Sequence, residues 1–253
     1  MPTPEPPRGE PLDLTTCTAL VTGAGQRIGA ACAEALALAG ARVAVHHHTS
    51  QAAAQALCAA IGRRGGRAEP FAADLADGAQ AALLLERVAA RLGPVQILVN
   101  NASLFQPGAL RTTPLPAWHR MLEIHLTAPF LLMQSFAAGL PASASGVIVN
   151  LIDQRIHRPR PGHLAYTVAK SALWSLTRIA AVELAPHIRV NAIAPGPILP
   201  AAGEAAESFQ QVVAATPLRR PGAPQDIVDT LLFLVKHAFI TGEMICVDGG
   251  EHL

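Results

Sequence analysis

A chain of 253 residues, 51% apolar and only 15% charged, can bury a large interior, and at this length one α/β domain fits better than two. The formal net charge of +1, without a basic run interleaved with aromatics, offers no field for nucleic acid. No apolar run approaches the ~20 residues that span a bilayer, and Cys17, Cys32, Cys58 and Cys246 lie far apart with no C-x-x-C pair, so no membrane, disulfide framework or cysteine zinc site is expected and a reducing cytoplasm fits.

Residues 1–14, rich in proline and acid, read as a loose tail rather than a signal peptide, which leaves 15–253 as the domain. An apolar strand over 18–22 runs into Gly23-Ala-Gly25-Gln-Arg27-Ile-Gly29, and an alanine-rich helix over 30–39 follows, closed by Gly40. Such glycines let the backbone turn tightly and set a helix N-terminus against a pyrophosphate, whose charge the free N–H groups favour. The second strand, 42–46, ends in His46-His47-His48-Thr49-Ser50. An acid there would bind a ribose 2′-hydroxyl; none is present and Arg27 is near in the turn, so the expected cofactor is NADP(H). The histidines are also compatible with plain surface or a metal. In an extended segment, however, His47 points away from His46 and His48, and no fourth ligand is apparent, so no metal is expected.

A helix over 51–61 leads to a third strand, 68–75, that carries Asp74 at its end, and a helix over 79–92 is stopped by Gly93-Pro94. The fourth strand, 95–100, runs into Asn101-Ala-Ser103. A long helix from about 116 to 138 contains Pro129, which is expected to kink its middle. The fifth strand, 146–152, delivers Asp153; the helix from about 164 to 184 carries Tyr166 and Lys170; the sixth strand, 188–193, ends in Ala-Pro195-Gly196. Helical pieces near 204–214 and 224–235 precede the last strand, 243–247. Strands alternating with helices imply right-handed crossovers and a single-domain, doubly wound parallel sheet of about seven strands with helices on both faces, a Rossmann-like α/β fold. In such sheets ligands bind beyond the C-terminal strand ends, and Gly23, Asp74, Asn101, Asp153 and Pro195 all belong to that rim.

Tyr166 and Lys170 are i and i+4 on one helical face, so an ammonium is expected beside the phenol, lowering its pKa from near ~10 and making it a better proton donor. A lone Y-x-x-x-K is also common on helix surfaces. Arg155, Arg158 and Arg160 form either a solvated loop or a contact to an anionic part of a substrate. His125, His157, His163 and His187 read as structural or exposed rather than as ligands. The loop from 197 to 216, interrupted by Pro197, Pro200 and Gly203, has the composition of a lid.

From Thr22-Gly-Ala-Gly-Gln-Arg-Ile-Gly29, through Asn100-Asn-Ala-Ser103 and Tyr166-x-x-x-Lys170, to Asn191-Ala-Ile-Ala-Pro-Gly196 and Val247-Asp-Gly-Gly250, the chain resembles the short-chain dehydrogenases/reductases over nearly everything after residue 15. The resemblance implies an NADPH-binding enzyme. Its cofactor pyrophosphate would lie on Gly23, Gly25, Arg27, Ile28 and Gly29, and its adenine near Asp74 and Leu75. Asn101, Ala102, Pro195, Gly196 and Ile198 would add contacts, with Tyr166 and Lys170 at the nicotinamide ribose.

Two departures from the family pattern stand out. Arg27 replaces the middle glycine of T-G-x-x-x-G-x-G, and Asp153 replaces the serine 13 residues before the tyrosine. Both resemble the pteridine reductases, as does Asn101-Ala-Ser-Leu-Phe105. By that resemblance Arg27 reaches the cofactor phosphates and Phe105, with Ser103 nearby, stacks on a pterin; the alternative for Phe105 is a buried loop anchor. His125 stands at the usual asparagine, and Ile-His-Leu-Thr-Ala-Pro-Phe130 with the ending Asp-Gly-Gly-Glu-His-Leu253 resembles the bacterial dihydromonapterin reductases. His125 thus replaces a residue that helps hold a proton-relay water near the lysine. Thr49 stands where pteridine reductases often carry arginine, which leaves His48, Ser50 and Arg27 as the 2′-phosphate ligands.

The implied reaction passes hydride to C6 of a 7,8-dihydropterin, of the dihydromonapterin, dihydrobiopterin or dihydrofolate type. N5 then gains a proton from Tyr166 or water, and Asp153 holds the polar edge or relays the proton. A carboxyl suits a basic nitrogen heterocycle better than a serine hydroxyl does. The alternatives are an NADPH-dependent carbonyl reductase that carries aspartate, and a non-catalytic NADP(H)-binding sensor, which would not need Tyr166 with Lys170. The low charge and many alanines predict a homo-oligomer, tetramer or dimer, and the family resemblance implies that the helices after the fourth and fifth strands pair between subunits.

Overall fold

In the computed structural model, residues 11–201 and 203–253 are described, and their seven strands form one parallel sheet. The strands are β1 (Thr18–Val21), β2 (Arg42–His47), β3 (Arg67–Ala72), β4 (Val95–Asn100), β5 (Gly146–Leu151), β6 (Ile188–Pro195) and β7 (Met244–Val247). The helices are α1 (Arg27–Leu38), α2 (Gln51–Arg63), α3 (Gly78–Leu92), α4 (Leu115–Leu122), α5 (Ala128–Gly139), α6 (Leu164–Glu183), α7 (Ala206–Ala215) and α8 (Pro224–Lys236). Strand order is β3-β2-β1-β4-β5-β6-β7, so the chain builds outward from β1 in one direction and from β4 in the other. The crevice for a ligand opens where these directions part, beyond the ends of β1 and β4.

The alternation of side chains along each strand sorts the core into two layers. Val21, Val45 and Val99 pack on one face with Leu36 of α1 and Leu231 of α8. Leu20, Leu98 and Ile148 point the other way, onto Leu84 of α3 and Leu132 and Phe136 of α5. Burial on both faces is why the strands read as unbroken apolar runs, and each fully buried Leu, Ile or Val stabilises by roughly 1.5–3 kcal/mol. At the site end the layer becomes polar: Asn100 Nδ2 donates to Asn150 Oδ1 at 2.8 Å, and Asn150 Nδ2 donates to Thr177 Oγ1 at 2.8 Å. This buried chain ties β4, β5 and α6 together and fixes where β4 releases Asn101.

Three expectations are corrected. The tail expected over 1–14 falls mostly outside the described residues, but Leu14 is buried and Leu12 packs on the core, so the folded chain begins before residue 15. β3 ends at Ala72 and leaves Asp74 and Leu75 in the following loop. The single helix over 116–138 is two helices joined by a π-helical turn, Glu123–Thr127. Proline at 129 has no N–H and its ring crowds the carbonyl one turn back, so the wider turn relieves that clash and rotates His125 inward. Among the described residues no helix is long and apolar enough to cross a membrane.

Candidate active site

The glycine turn is shaped by close approach. Gly23 has φ +61°, and a Cβ there would lie 2.8 Å from Ala102 Cα. A Cβ on Gly29 would collide with the Gly23 carbonyl oxygen and with Asn101 Nδ2. Asn101 fastens the turn from the β4 side: its N–H donates to Thr22 Oγ1 at 2.9 Å and its Nδ2 to the Thr22 carbonyl at 2.8 Å. Gly25 is buried behind the turn, where a Cβ would lie 2.5 Å from Ser50 Oγ. Arg27 is the exception in the segment: it opens α1 at φ 58°, in the left-handed region that costs a side chain strain, and its Nη2 donates to the Pro200 carbonyl at 2.7 Å.

Above the turn lies a cleft of about 580 Å³ that brings together Gly23, Arg27, Ile28, Gly29, His48, Ser50, Asp74, Leu75, Asn101, Ala102 and Ser103. At its β2 end His48 Nε2 lies 3.7 Å from Asp74 Oδ2. Gln26, Leu104, Arg120 and Ile124 also line it and were not legible in sequence; the spacing of Arg120 and Ile124, one turn apart, is the only signal for the last two. Ile198 lies elsewhere. It is buried and, with Pro197, lines a second cavity of about 510 Å³ closed by Asp248 and the C-terminus. Pro195 ends β6, and Gly196 follows it against the chain of Asp248, whose Cα a Cβ would meet at 2.6 Å.

Asp153, Tyr166 and Lys170 converge at the end of β5. Tyr166 O–H donates to Asp153 Oδ2 at 2.8 Å, while Asp153 Oδ1 accepts the Arg155 N–H at 2.8 Å and so caps a short 3₁₀ turn. Lys170 is buried and its Nζ donates to the Leu151 carbonyl at 2.5 Å. The expectation that the ammonium lowers the Tyr166 pKa is overturned. Burial first, then the Asp153 charge and hydrogen bond, push the phenol well above its ordinary value, with the Ser103 hydroxyl and Arg155 opposing. Lys170 is instead lowered to about 8 by burial, against the pull of Asp153. The reason is direction: the ammonium donates to the strand carbonyl and stands 5.8 Å from the centre of the Tyr166 ring.

Around this trio sits an aromatic cluster. Phe105 is 39% exposed, stacks on His163 at 3.8 Å between ring centres and meets the Tyr166 ring edge-on at 4.9 Å. The buried-anchor alternative for Phe105 therefore fails, and His163 emerges as its support, held by a 3.0 Å bond to the Gln106 carbonyl. His125 is fully covered, lies edge-on to Tyr166 at 5.1 Å and bonds the Leu104 carbonyl through Nε2 at 2.8 Å. Burial, aided by the Lys170 charge, lowers it to about 3, so the ring is neutral, and among the described residues its Nδ1 has no hydrogen-bond partner. Of the arginines after Asp153, Arg160 pairs with Glu251 at 3.2 Å and Arg155 lies 5.7 Å from the Phe105 ring centre.

Residues 23–252 match the family model described as enoyl-(acyl carrier protein) reductase. A crystal structure of FolM alternative dihydrofolate reductase 1 from Brucella canis, complexed with NADP, superposes with a TM-score of 0.92 at 39% identity, covering 95% of each chain. L-xylulose reductase from Bos taurus is 39% identical, covering 94% of this chain and 98% of the relative. A 3-oxoacyl-[acyl-carrier-protein] reductase from Synechocystis sp. is 33% identical, covering 94% and 97%.

Proposed function

The chain belongs to the short-chain dehydrogenase/reductase family, and on that footing we propose that it is an NADPH-dependent reductase of a dihydropterin. It is an oxidoreductase, and its turn fits a dinucleotide: Gly23, Arg27, Ile28 and Gly29, at the head of α1, line a cleft of about 580 Å³, and the lack of side chains at 23 and 29 lets the turn close on Ala102 and Asn101. NADPH supplies the hydride. Gly23, Ile28, Gly29, Asn101 and Ala102 hold its pyrophosphate; Arg27, His48 and Ser50 take the 2′-phosphate; Asp74 and Leu75 border the adenine. Gly25 supports the turn from behind, Pro195 and Gly196 would bound the far side at the end of β6, and Ile198 would reach the cofactor only from the neighbouring cavity.

The observation that carries the substrate reading is the Tyr166–Asp153 bond of 2.8 Å beside the half-exposed Phe105 ring. A carboxyl and a phenol joined at the edge of an aromatic platform suit a flat, nitrogen-rich ring. Phe105 offers its free area for stacking, and Ser103 borders the same edge. Tyr166, kept protonated by burial and Asp153, delivers its proton to N5 when that nitrogen becomes strongly basic, and Asp153 orients the phenol or relays to it a replacement proton taken from solvent. Lys170 holds the nicotinamide ribose. His125, neutral and with Nδ1 free, replaces the family asparagine at the lysine end.

The test is NADPH oxidation by the purified protein with dihydromonapterin, dihydrobiopterin and dihydrofolate beside a panel of ketones, with Asp153→Ser in parallel. Turnover of a dihydropterin that falls in Asp153→Ser supports the reading. The second reading is a carbonyl reductase, favoured by the L-xylulose and 3-oxoacyl reductases among the relatives. Turnover of ketones alone, or ketone activity gained on restoring serine, would establish it.

The assembly is proposed to be a homo-oligomer, dimer or tetramer. Phe130 of α5 and Ile179 and Val182 of α6 are left exposed on the helices expected to pair. The cytoplasm is the proposed compartment, in keeping with four free cysteines.

A further inference from the structure

We propose that His46 is a positioning residue for the cofactor turn: its ring, held in one neutral tautomer, fixes the Gly23 peptide and thereby the entry to α1 in the form that receives NADPH. His46 is only 2% exposed, although it lies in a row of three histidines at the end of a strand. Its Nδ1 faces the Gly23 N–H at 3.0 Å, and its Nε2 faces the Ala73 carbonyl at 3.1 Å. Its own carbonyl accepts the Ala24 N–H at 2.8 Å. One residue of β2 therefore bonds two consecutive amides of the glycine turn and the segment that follows β3.

The partners determine the tautomer. A backbone N–H only donates, so Nδ1 must present its lone pair, and a carbonyl only accepts, so the proton must sit on Nε2. Both ring nitrogens are then committed to the backbone, and the ring has no donor left for a phosphate and no lone pair for a metal. The residue borders the cleft, so its role is to hold the turn through these two bonds rather than to offer the ligand a hydrogen bond. An imidazolium would set a second N–H against Gly23 and lose that bond. Burial lowers the ring to about 4, against the pull of the Ala73 hydrogen bond, with smaller contributions from the neighbouring His47 and His48 and from Arg87 of α3. The turn is tight at this point: Gly23 lies at φ +61°, and a Cβ there would lie 2.8 Å from Ala102 Cα.

The inference concerns cofactor binding and is independent of which substrate is reduced. It is tested by titrating NADPH against the full chain, read by nicotinamide fluorescence, for the wild type, His46→Leu and His46→Asn. The asparagine oxygen falls where Nδ1 lies and can still accept from Gly23; leucine cannot. The expected result is NADPH binding about tenfold weaker in His46→Leu, the fold-change of one lost bond to a buried amide, and recovery of most of that loss in His46→Asn. Wild-type binding in His46→Leu, or equal losses in the two variants, would overturn the proposal. Should the leucine variant not fold, the ¹⁵N spectrum of histidine-labelled wild-type protein decides. One imidazole bearing its proton on Nε2, and unchanged as the pH falls from about 8 to about 5.5, is expected; a proton on Nδ1 of that ring refutes it.

Discussion

The Tyr166 hydroxyl donates a hydrogen bond to Asp153 Oδ2 across 2.8 Å, and both partners are fixed from elsewhere: the phenol on a buried face of α6, the carboxyl by the Arg155 N–H. The phenol is thereby kept as an acid by a neighbouring negative charge rather than activated by a positive one.

The chain has a single tyrosine, so ultraviolet absorbance reads Tyr166 alone. The native protein is expected to resist phenolate formation beyond the ordinary range, and Asp153→Asn, which removes the charge, to ionise at lower pH. Because the folded phenol keeps a proton that the unfolded one loses near pH ~10, stability should fall as the pH rises past that value, and less steeply in Asp153→Asn. Tyr166→Phe should cut turnover about 10²–10⁴-fold with NADPH binding kept, measured by steady-state kinetics and fluorescence titration.

Lys170 titrates at about 8 against an ordinary 10.5. The unfolded chain therefore binds the extra proton between these values, so stability rises with pH across that window, and below it the buried charge costs roughly 3 kcal/mol. Lys170→Met is expected to melt higher than wild type at neutral pH, an advantage that shrinks on approach to pH ~10.5, while catalysis is lost. Thermal unfolding at several pH values checks the sign. A variant that melts lower at neutral pH and does not improve as the pH falls back would show that the Leu151 hydrogen bond outweighs the desolvation.

Arg27 opens a helix in the left-handed region. Arg27→Gly should relieve about 1 kcal/mol of backbone strain and raise the melting temperature, whereas Arg27→Ala keeps the strain. Both should weaken NADPH, by about tenfold or more for loss of a charged phosphate contact, and NADH much less. Calorimetry and the ratio of KM values for the two cofactors separate the backbone effect from the ligand effect.

Ile179 and Val182 are 54% and 80% exposed and lie on one side of α6. Val182→Asp is expected to reduce the oligomer to monomers, read by light scattering after size exclusion, because a charge buried in an apolar contact has no partner. An unchanged mass would place the interface elsewhere.

The alternation of strands and helices, the glycine turn and the pairing of Tyr166 with Lys170 on one face were legible because each rests on local spacing. The order of strands follows from short right-handed connections. The π-helical turn was not legible, since its cause, Pro129, fits a kink equally well, and only packing against Leu104 selects the rotation that buries His125. The electrostatics of Asp153, Tyr166 and Lys170 were misread for a similar reason: adjacency on a helix gives a face, but the direction of the Lys170 ammonium depends on the Leu151 carbonyl, a strand away. His46 stood in a row of three histidines that fitted phosphate contact or plain surface; its burial depends on β3 and the glycine turn closing over it.

The sequence by itself determined the doubly wound sheet, the place of the cofactor turn and the identity of the acid, the phenol and the ammonium, because propensity, periodicity and glycine requirements act over a few residues. Which polar group faces which was decided only by the tertiary structure. Phe105 on His163, Tyr166 on Asp153 and His46 under Gly23 join segments far apart in the chain, and hydrogen bonds between such segments exist only once the sheet and its two helical layers have brought the strand ends to one rim.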